Sequence, residues 1–416
     1  MTGAAADVRE GPAPGAGPRA RYDVVTVGRV GVDLYPEQSG VGLAEVRSFA
    51  KSLGGTAGNV AVAGARLGLR TAVLTGVGDD PFGGYVRGAL RGFGVDDALV
   101  ATVPDAQTPV VFCELFPPDD FPIYFYRRPV APDQCLAPER LDTEAVRDAR
   151  ALWITGSALA VEPTRSTVFA ALAAREGGEV WFDLDWRPML WPDPAEAPAL
   201  YARALAYTTV AVGNRAEAEV AVGACGPEDA VGRLLRSGVG TAVVKLGPAG
   251  VLGADAHGLV RVPPVPVKTA NGLGAGDAFG GALCAGLLAG EPLARVLRAA
   301  NAAGAIVASR LACADAMPTR AEIDALLATG EVPPSPERAL LPRSGFPLHP
   351  PHRGPLDLTA VQPADGWPPC PDPAGPPTPA GPPTPAGPPA PSGPPAPSGP
   401  RRERSQLPPR AGEEAS

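Results

Sequence analysis

The strongest constraint on this chain is a rhythm. Short valine-rich runs alternate with longer helical patterns for most of its length. Runs at 22–30, 71–77, 151–155, 179–185, 209–212 and 241–246 read as strands. Helices are expected at 60–67, 81–93, 164–175, 195–206 and 228–236, with two more after Gly276 and at 292–311. Strands that are apolar throughout are buried on both faces, and the helices between them let neighbours run parallel. The fold class is therefore α/β, a central mostly parallel sheet flanked by helices on both faces. Two strand-like runs, 109–116 and 123–127, fall outside the rhythm and read as a hairpin turning at PPDDFP. The stretch 46–53 is short and mixed.

The rhythm fills only 21–329 of 416 residues. The first twenty show no periodicity and read as a disordered extension. From Gly330 proline dominates, and 374–397 is four hexads, AGPPTP, AGPPTP, AGPPAP and SGPPAP. Such a tail cannot bury enough apolar surface to order itself, so a disordered or polyproline II segment is expected at 330–416. The remaining 309 residues suffice for one large α/β domain. A net charge of −8 argues against nucleic acid as a partner. No run of 18 apolar residues occurs, the first residues carry Asp7 and Glu10 so that no signal peptide is expected, and the six cysteines form no C-x-x-C pair. A cytoplasmic protein with reduced thiols is expected.

In parallel sheets ligands bind beyond the carboxyl ends of the strands, which directs attention to the residues just after each run. The stretch 269–288, TANGLGAGDAFGGALCAGLL, is a glycine-rich loop running into a helix. Free N–H groups and the positive dipole end suit an anion at such a place. Asp277 in that first turn reads either as a cap or as a base beside a bound phosphate. Asn214 and Glu217 read equally as a capping box or as ligands ordering a hydrated Mg2+. Lys245, Gly247 and Gly250 form a turn, K-L-G-P-A-G, which suits a nucleotide or an ordinary hairpin. In GGTAGN, Gly54, Gly55 and Gly58 would weaken a helix, so backbone approach to a ligand is expected there, with Asn59 offering an amide. Asp33 ends the first run and can accept two hydroxyls. Arg127 and Arg187 are candidates for an anionic group or for surface ion pairs.

Two common patterns are missing. No G-x-x-x-x-G-K-[ST] occurs, and GRVGVD after the first strand is not a dinucleotide fingerprint. Only His257, His349 and His352 are present, too few for a triad or a histidine metal site.

GGTAGNVAVAGARLG and NGLGAGDAFGGAL resemble, in order, the two signature segments of the ribokinase (PfkB-type) carbohydrate kinases. The resemblance covers 22 to about 328 and includes the N-x-x-E and G-x-x-G elements between the signatures. It implies a ribokinase-like fold with a small β lid, its strands within about 34–53 and 109–127. The phrases GRVGVDLYP, SFAKSLGGTAGN and PVVFCELFPPDDFP are most similar to members acting on a keto-deoxy sugar acid of myo-inositol breakdown. The resemblance implies transfer from ATP, with Mg2+, to the 6-hydroxyl of 5-dehydro-2-deoxygluconate; other sugars, 2-keto-3-deoxygluconate or fructose, and a non-catalytic sensor are the alternatives. By the same matching, Asp277 resembles the base, and Gly274, Ala275 and Gly276 the anion hole. Asp33, Gly55 and Asn59 resemble sugar contacts, and Arg127 and Arg187 contacts to the acid. Glu217 resembles the Mg2+ ligand. Asn214, Lys245, Gly247, Gly250 and Asn301 resemble nucleotide contacts. WFDLDWRP is similar to the family's D-x-N-x-R-P, with Asp185 in place of Asn. Many members carry Asp six residues before the base, in a monovalent-cation site. This chain has Asn271, which leaves K+ open. Lid strands often pair between subunits, so a homodimer through the lid is expected.

Overall fold

The computed structural model describes residues 20–334, apart from 119, 176 and 225. The extension and the proline-rich tail fall outside the described residues except at their borders.

The main sheet is built from β1 (Val24–Val27), β4 (Thr71–Gly78), β5 (Val95–Asp96), β6 (Val100–Val103), β9 (Ala151–Thr155), β10 (Glu179–Asp183), β11 (Val210–Asn214), β12 (Thr241–Lys245), β13 (Val251–Asp255) and β14 (Gly258–Val262). Its order is β14-β13-β12-β11-β10-β9-β1-β4-β5, with β6 also on β4. All pairs are parallel except β12–β13 and β13–β14. The antiparallel β12–β13 pair turns at 246–250, which is the hairpin reading of K-L-G-P-A-G, and the further strand β14 was not expected from the sequence. The two-residue period places Val24 in one apolar layer and Val25 and Val27 in the other, and it divides Trp153 from Ile154 in the same way. Helices α1 (Thr56–Arg66), α2 (Pro81–Gly92), α8 (Ala275–Leu288), α9 (Leu293–Ala308) and α10 (Arg320–Thr329) supply the first layer. The second is supplied by α3 (Thr143–Asp148), α4 (Thr164–Ala173), α5 (Ala197–Leu205), α6 (Arg215–Val222) and α7 (Pro227–Arg236).

A second sheet has the order β3-β2-β7-β8, from β2 (Gly31–Pro36), β3 (Phe49–Gly54), β7 (Val110–Cys113) and β8 (Ile123–Tyr126). The hairpin β7–β8 is where the sequence pattern puts it. The first run, however, is not one strand. It breaks at Gly28, whose φ is +149° and whose missing Cβ would sit 2.4 Å from Thr155 Oγ1. Only glycine tolerates both conditions, so the chain leaves the main sheet there and joins the second sheet as β2. Asp33 is thus carried on a lid strand rather than ending a core strand.

The first signature differs too. α1 begins at Thr56, so Gly58 and Asn59 are inside it. Gly58 is there for packing: a Cβ would lie 3.1 Å from Val30 Cγ1. Gly55 provides the kink, with φ +91° and its Cβ position 2.5 Å from Arg29 O. Among the cysteines, Cys113, Cys284 and Cys313 are free and buried. Cys135 departs from the expected reduced state and is disulfide-bonded.

Candidate active site

A cavity of about 410 Å³ opens where the strand ends meet the lid. It is lined by Asp33, Gly55, Asn59, Arg187, Asn214, Glu217, Lys245, Gly247, Gly274, Gly276 and Asp277, which the sequence singled out, and by Arg29, Thr56, Asp183, Asp185 and Cys313, among others. The ends of β10, β11 and β12 provide Asp183, Asn214 and Lys245.

The centre of the site is the contact of α1 with α8. Asn59 Nδ2 donates to Asp277 Oδ2 at 2.8 Å. Four residues further along each helix, a Cβ on Gly281 would lie 2.3 Å from Ala63 Cβ. The glycine therefore lets the two helices approach closely enough for the polar pair one turn earlier to meet. Gly280 makes room for Trp153 in the same way, at 2.9 Å. These two glycines of the second signature serve helix packing, while Gly274 and Gly276 line the cavity.

α8 has no side-chain cap. The N–H groups of its first turn are therefore available to an anion, with the dipole in support. Gly274 holds φ +80°, and a Cβ there would lie 2.7 Å from Cys313 Sγ. A Cβ on Gly276 would lie 3.3 Å from Lys245 Nζ, so the ammonium sits beside this turn. Burial opposes that charge, but Asp183, Glu217 and Asp277 outweigh it and raise the Lys245 pKa.

Asp277 touches the cavity surface but is set deep among protein groups. Burial pushes its carboxyl up to about 6; the Asn59 hydrogen bond works the other way, and Asp185 adds to the rise. At neutral pH it is ionised yet basic enough to take a proton. Burial likewise raises Asp33 to about 6, moderated by the Tyr35 hydroxyl, which donates to its Oδ2 at 3.0 Å. Gly54 is required beside it, since a Cβ there would overlap the Asp33 carboxylate. Asn59 Oδ1 is buried without a partner, an acceptor suited to a substrate hydroxyl.

Asp185 is not an amide look-alike. Its carboxylate accepts from Ser157 Oγ at 2.5 Å and Arg29 Nη2 at 3.0 Å, and Arg187 Nη2 lies 3.3 Å away. Burial alone would raise its pKa, but Arg29 and Arg187 hold it below the usual carboxylate range. Asp183 beside it goes up, through burial first and then the charges of Glu217 and Asp185, with Lys245 opposing.

Four expected contacts, Arg127, Asn301, Gly250 and Ala275, do not line the cavity. Arg127 Nη2 donates to Asp133 Oδ2 at 2.8 Å in a buried pair six residues along the chain. Asn301 Nδ2 donates to Pro263 O at 2.9 Å and so anchors the segment after β14. Gly250 also packs against that segment, its Cβ position 2.2 Å from Val262 O. Ala275 opens α8. Asn271 is fully buried, donates to Leu311 O at 2.6 Å and accepts from Leu273 N–H at 3.0 Å. An aspartate there could not donate to the carbonyl, so this amide fixes the loop ahead of α8.

Arg29 was missed. Its signal was available, since a charge inside an apolar run is seldom buried unless paired or functional.

Glu217 and Asn214 do form a reciprocal cap, Asn214 N–H to Glu217 Oε2 at 2.7 Å and Glu217 N–H to Asn214 Oδ1 at 3.0 Å. The cap leaves Glu217 Oε1 beside Arg187 Nη1 at 3.5 Å, on the cavity wall. No group of three or more ligating side chains that could hold a metal occurs among the described residues. The donor set fits a hydrated Mg2+ carried in on phosphates, which needs only one or two protein carboxylates.

The family model for pfkB family carbohydrate kinases matches residues 21–320. The chain belongs to that family. It is a sugar kinase with the ribokinase-like fold. A Bacillus anthracis protein named 5-dehydro-2-deoxygluconokinase is 33% identical over 319 residues, spanning 74% of this chain and 96% of that protein. A fructokinase from Vibrio cholerae O395, solved with fructose, ADP and calcium, has a TM-score of 0.66 and 29% identity over 74% of this kinase and 99% of that chain. A ribokinase II structure from E. coli in complex with ATP and Mg2+ has a TM-score of 0.69 at 24% identity, over 74% of this kinase and 99% of that chain, a likeness of fold.

Proposed function

We propose that this kinase transfers the γ-phosphoryl group of ATP to the primary hydroxyl of a sugar acid, 5-dehydro-2-deoxygluconate, giving its 6-phosphate. The observation that carries the reading is the Asn59–Asp277 contact, 2.8 Å long, set against an uncapped helix start in a cavity that also contains Arg29 and Arg187. A base, an anion hole and cationic groups for a carboxylate are thus within one enclosure. The relative named 5-dehydro-2-deoxygluconokinase supports the same choice.

In this mechanism Asp33 and Asn59 receive sugar hydroxyls and turn the primary hydroxyl toward Asp277. Asp277 takes its proton as the oxygen attacks phosphorus, and ADP departs with the bridging oxygen. First-turn N–H groups of α8 hold the equatorial oxygens of the moving phosphoryl, with Lys245 beside them. Glu217 would hold the hydrated Mg2+, which would supply charge neutralisation at the nucleotide phosphates. Asn214, Lys245 and Gly247 form the nucleotide side, and the lid covers the sugar and excludes water. K+ is not required in this reading, because Asn271 is committed to the loop.

The fructokinase likeness favours a second reading, with fructose as acceptor. Incubation with ATP, Mg2+ and each sugar, followed by phosphorus NMR of the product, separates the two. A phosphate on C6 of the sugar acid supports the first; phosphorylation of fructose alone overturns it. The reading places the kinase in the cytoplasm and makes it a homodimer through the lid, whose edge strands are β3 and β8. Light scattering of the full chain tests the dimer, and a monomer mass refutes it.

A further inference from the structure

Arg29 is the best-anchored cation in the cavity. It is only 6% exposed. Its Nε donates to Ser157 Oγ at 3.0 Å, and its Nη2 to Thr56 Oγ1 at 2.9 Å and Asp185 Oδ2 at 3.0 Å. The remaining nitrogen, Nη1, has no hydrogen-bond partner among the described residues. It is not sealed in either, and Arg29 lines the cavity. Its guanidinium carbon also lies 5.6 Å from the ring centroid of Phe125 on the lid. A guanidinium with two nitrogens fixed and one open is a pre-organised donor.

Asp185 explains the charge of this place. Two guanidiniums, Arg29 at 3.0 Å and Arg187 at 3.3 Å, share its one carboxylate. The other ion pair of Arg187, with Glu217 at 3.5 Å, is on the metal side. Asp185 holds φ +28°, a left-handed conformation that costs a non-glycine residue energy and persists where the surroundings impose it. Arg29, Arg187, Asp185 and Glu217 thus balance in charge, and the donor left open toward the cavity is Arg29 Nη1.

We propose that Arg29 is the specificity-determining residue that binds the acceptor's carboxylate through Nη1, and that Asp185 sets the pocket to accept a single negative charge. The inference rests on the sugar-acid reading above. It assigns to Arg29 the role expected of Arg127 from sequence, and it gives Asp185 a reason to replace an amide: an asparagine would leave Arg29 without its carboxylate partner, while Arg187 would keep Glu217.

The test uses the purified full chain, with ATP and Mg2+, and the ratio of kcat/KM for 5-dehydro-2-deoxygluconate to that for fructose. A charge-assisted hydrogen bond is worth a factor of roughly 10 to 150. Arg29→Met is expected to lower the ratio by about that factor, and Arg29→Lys by less. Loss of general structure would lower both rates together and leave the ratio alone. A ratio within about threefold of wild type in Arg29→Met overturns the proposal. A wild type that prefers fructose instead overturns the sugar-acid reading. Asp185→Asn gives an independent arm, read through competitive inhibition by malonate, a compact dianion, and by acetate. The variant is expected to favour malonate over acetate by about tenfold more than wild type does. An unchanged malonate-to-acetate ratio refutes the single-charge role of Asp185, including where the Arg29 variants fail to fold.

Discussion

Replacing Asp277 by asparagine separates the proposed chemistry from stability, because the two respond in opposite directions. The carboxyl is carried from an ordinary 3.8 to about 6 by burial. At about 1.4 kcal/mol per tenfold, ionisation at neutral pH works against the fold by up to about 3 kcal/mol. The figure is an upper bound, because the carboxylate reaches the cavity and solvent there screens it. A folded pKa above the unfolded one means that the stabilising share is complete below about 4 and is lost as pH rises through 6. Asparagine does not ionise and keeps an oxygen to accept from Asn59. The variant is therefore expected to melt higher than wild type at pH 8, by up to about 6 °C at roughly 2 °C per kcal/mol, and the gap should close toward pH 5. Turnover should move the other way. A positioned base contributes roughly 100- to 10,000-fold, so kcat should fall by at least about 100-fold with KM little changed. Steady-state kinetics and thermal melts at the two pH values read both effects. More than a tenth of wild-type kcat in the variant would refute Asp277 as the base. A lower melting temperature at pH 8 would refute the burial argument.

Wild-type kcat/KM is expected to fall as pH drops through about 6, where Asp277 and Asp33 take up protons, and to be flat from 7 to 8; a pH-rate profile checks this. Gly274→Ala meets both a φ of +80° and a contact 2.7 Å from Cys313 Sγ, so it should cost about 1–3 kcal/mol of stability and reduce kcat more than tenfold, read by denaturant melts and initial rates. Arg127→Ala leaves Asp133 buried without its partner, and denaturant unfolding should show a loss of about 3–5 kcal/mol. In the surviving folded protein KM for the sugar acid should change less than about threefold, whereas a direct sugar contact would raise it more. Removal of Mg2+ with EDTA should abolish ADP release, and re-addition should restore it.

The main sheet was legible because its strands are short, valine-rich and buried on both faces, and because the site lies at their carboxyl ends. What the rhythm concealed has specific causes. The apolar run at 22–30 continues across Gly28, so nothing in composition marks the change of sheet; the break is steric, against Thr155. The edge strands β13 and β14 lack the β–α spacing that identified the others. Gly58, Gly280 and Gly281 read as ligand-facing or unremarkable glycines, yet each is set by a neighbour in space, Val30, Trp153 and Ala63. Arg127 and Arg29 show the same limit from the other side. Both are arginines near the cavity's elements, and only the position of Asp133 or of Asp185 and Ser157 decides which one faces the cavity. Asp277 was the easier residue, because a carboxylate in the first turn of a glycine-led helix already suggests an anion site.

The central claim is that the acceptor is a sugar acid. The most direct measurement is kcat/KM for ATP-dependent phosphorylation across 5-dehydro-2-deoxygluconate, 2-keto-3-deoxygluconate and fructose, with and without K+. The account predicts the highest value for 5-dehydro-2-deoxygluconate, at least about tenfold above fructose, with no dependence on K+. A preference for fructose, or equal values for acid and neutral sugars, would contradict it.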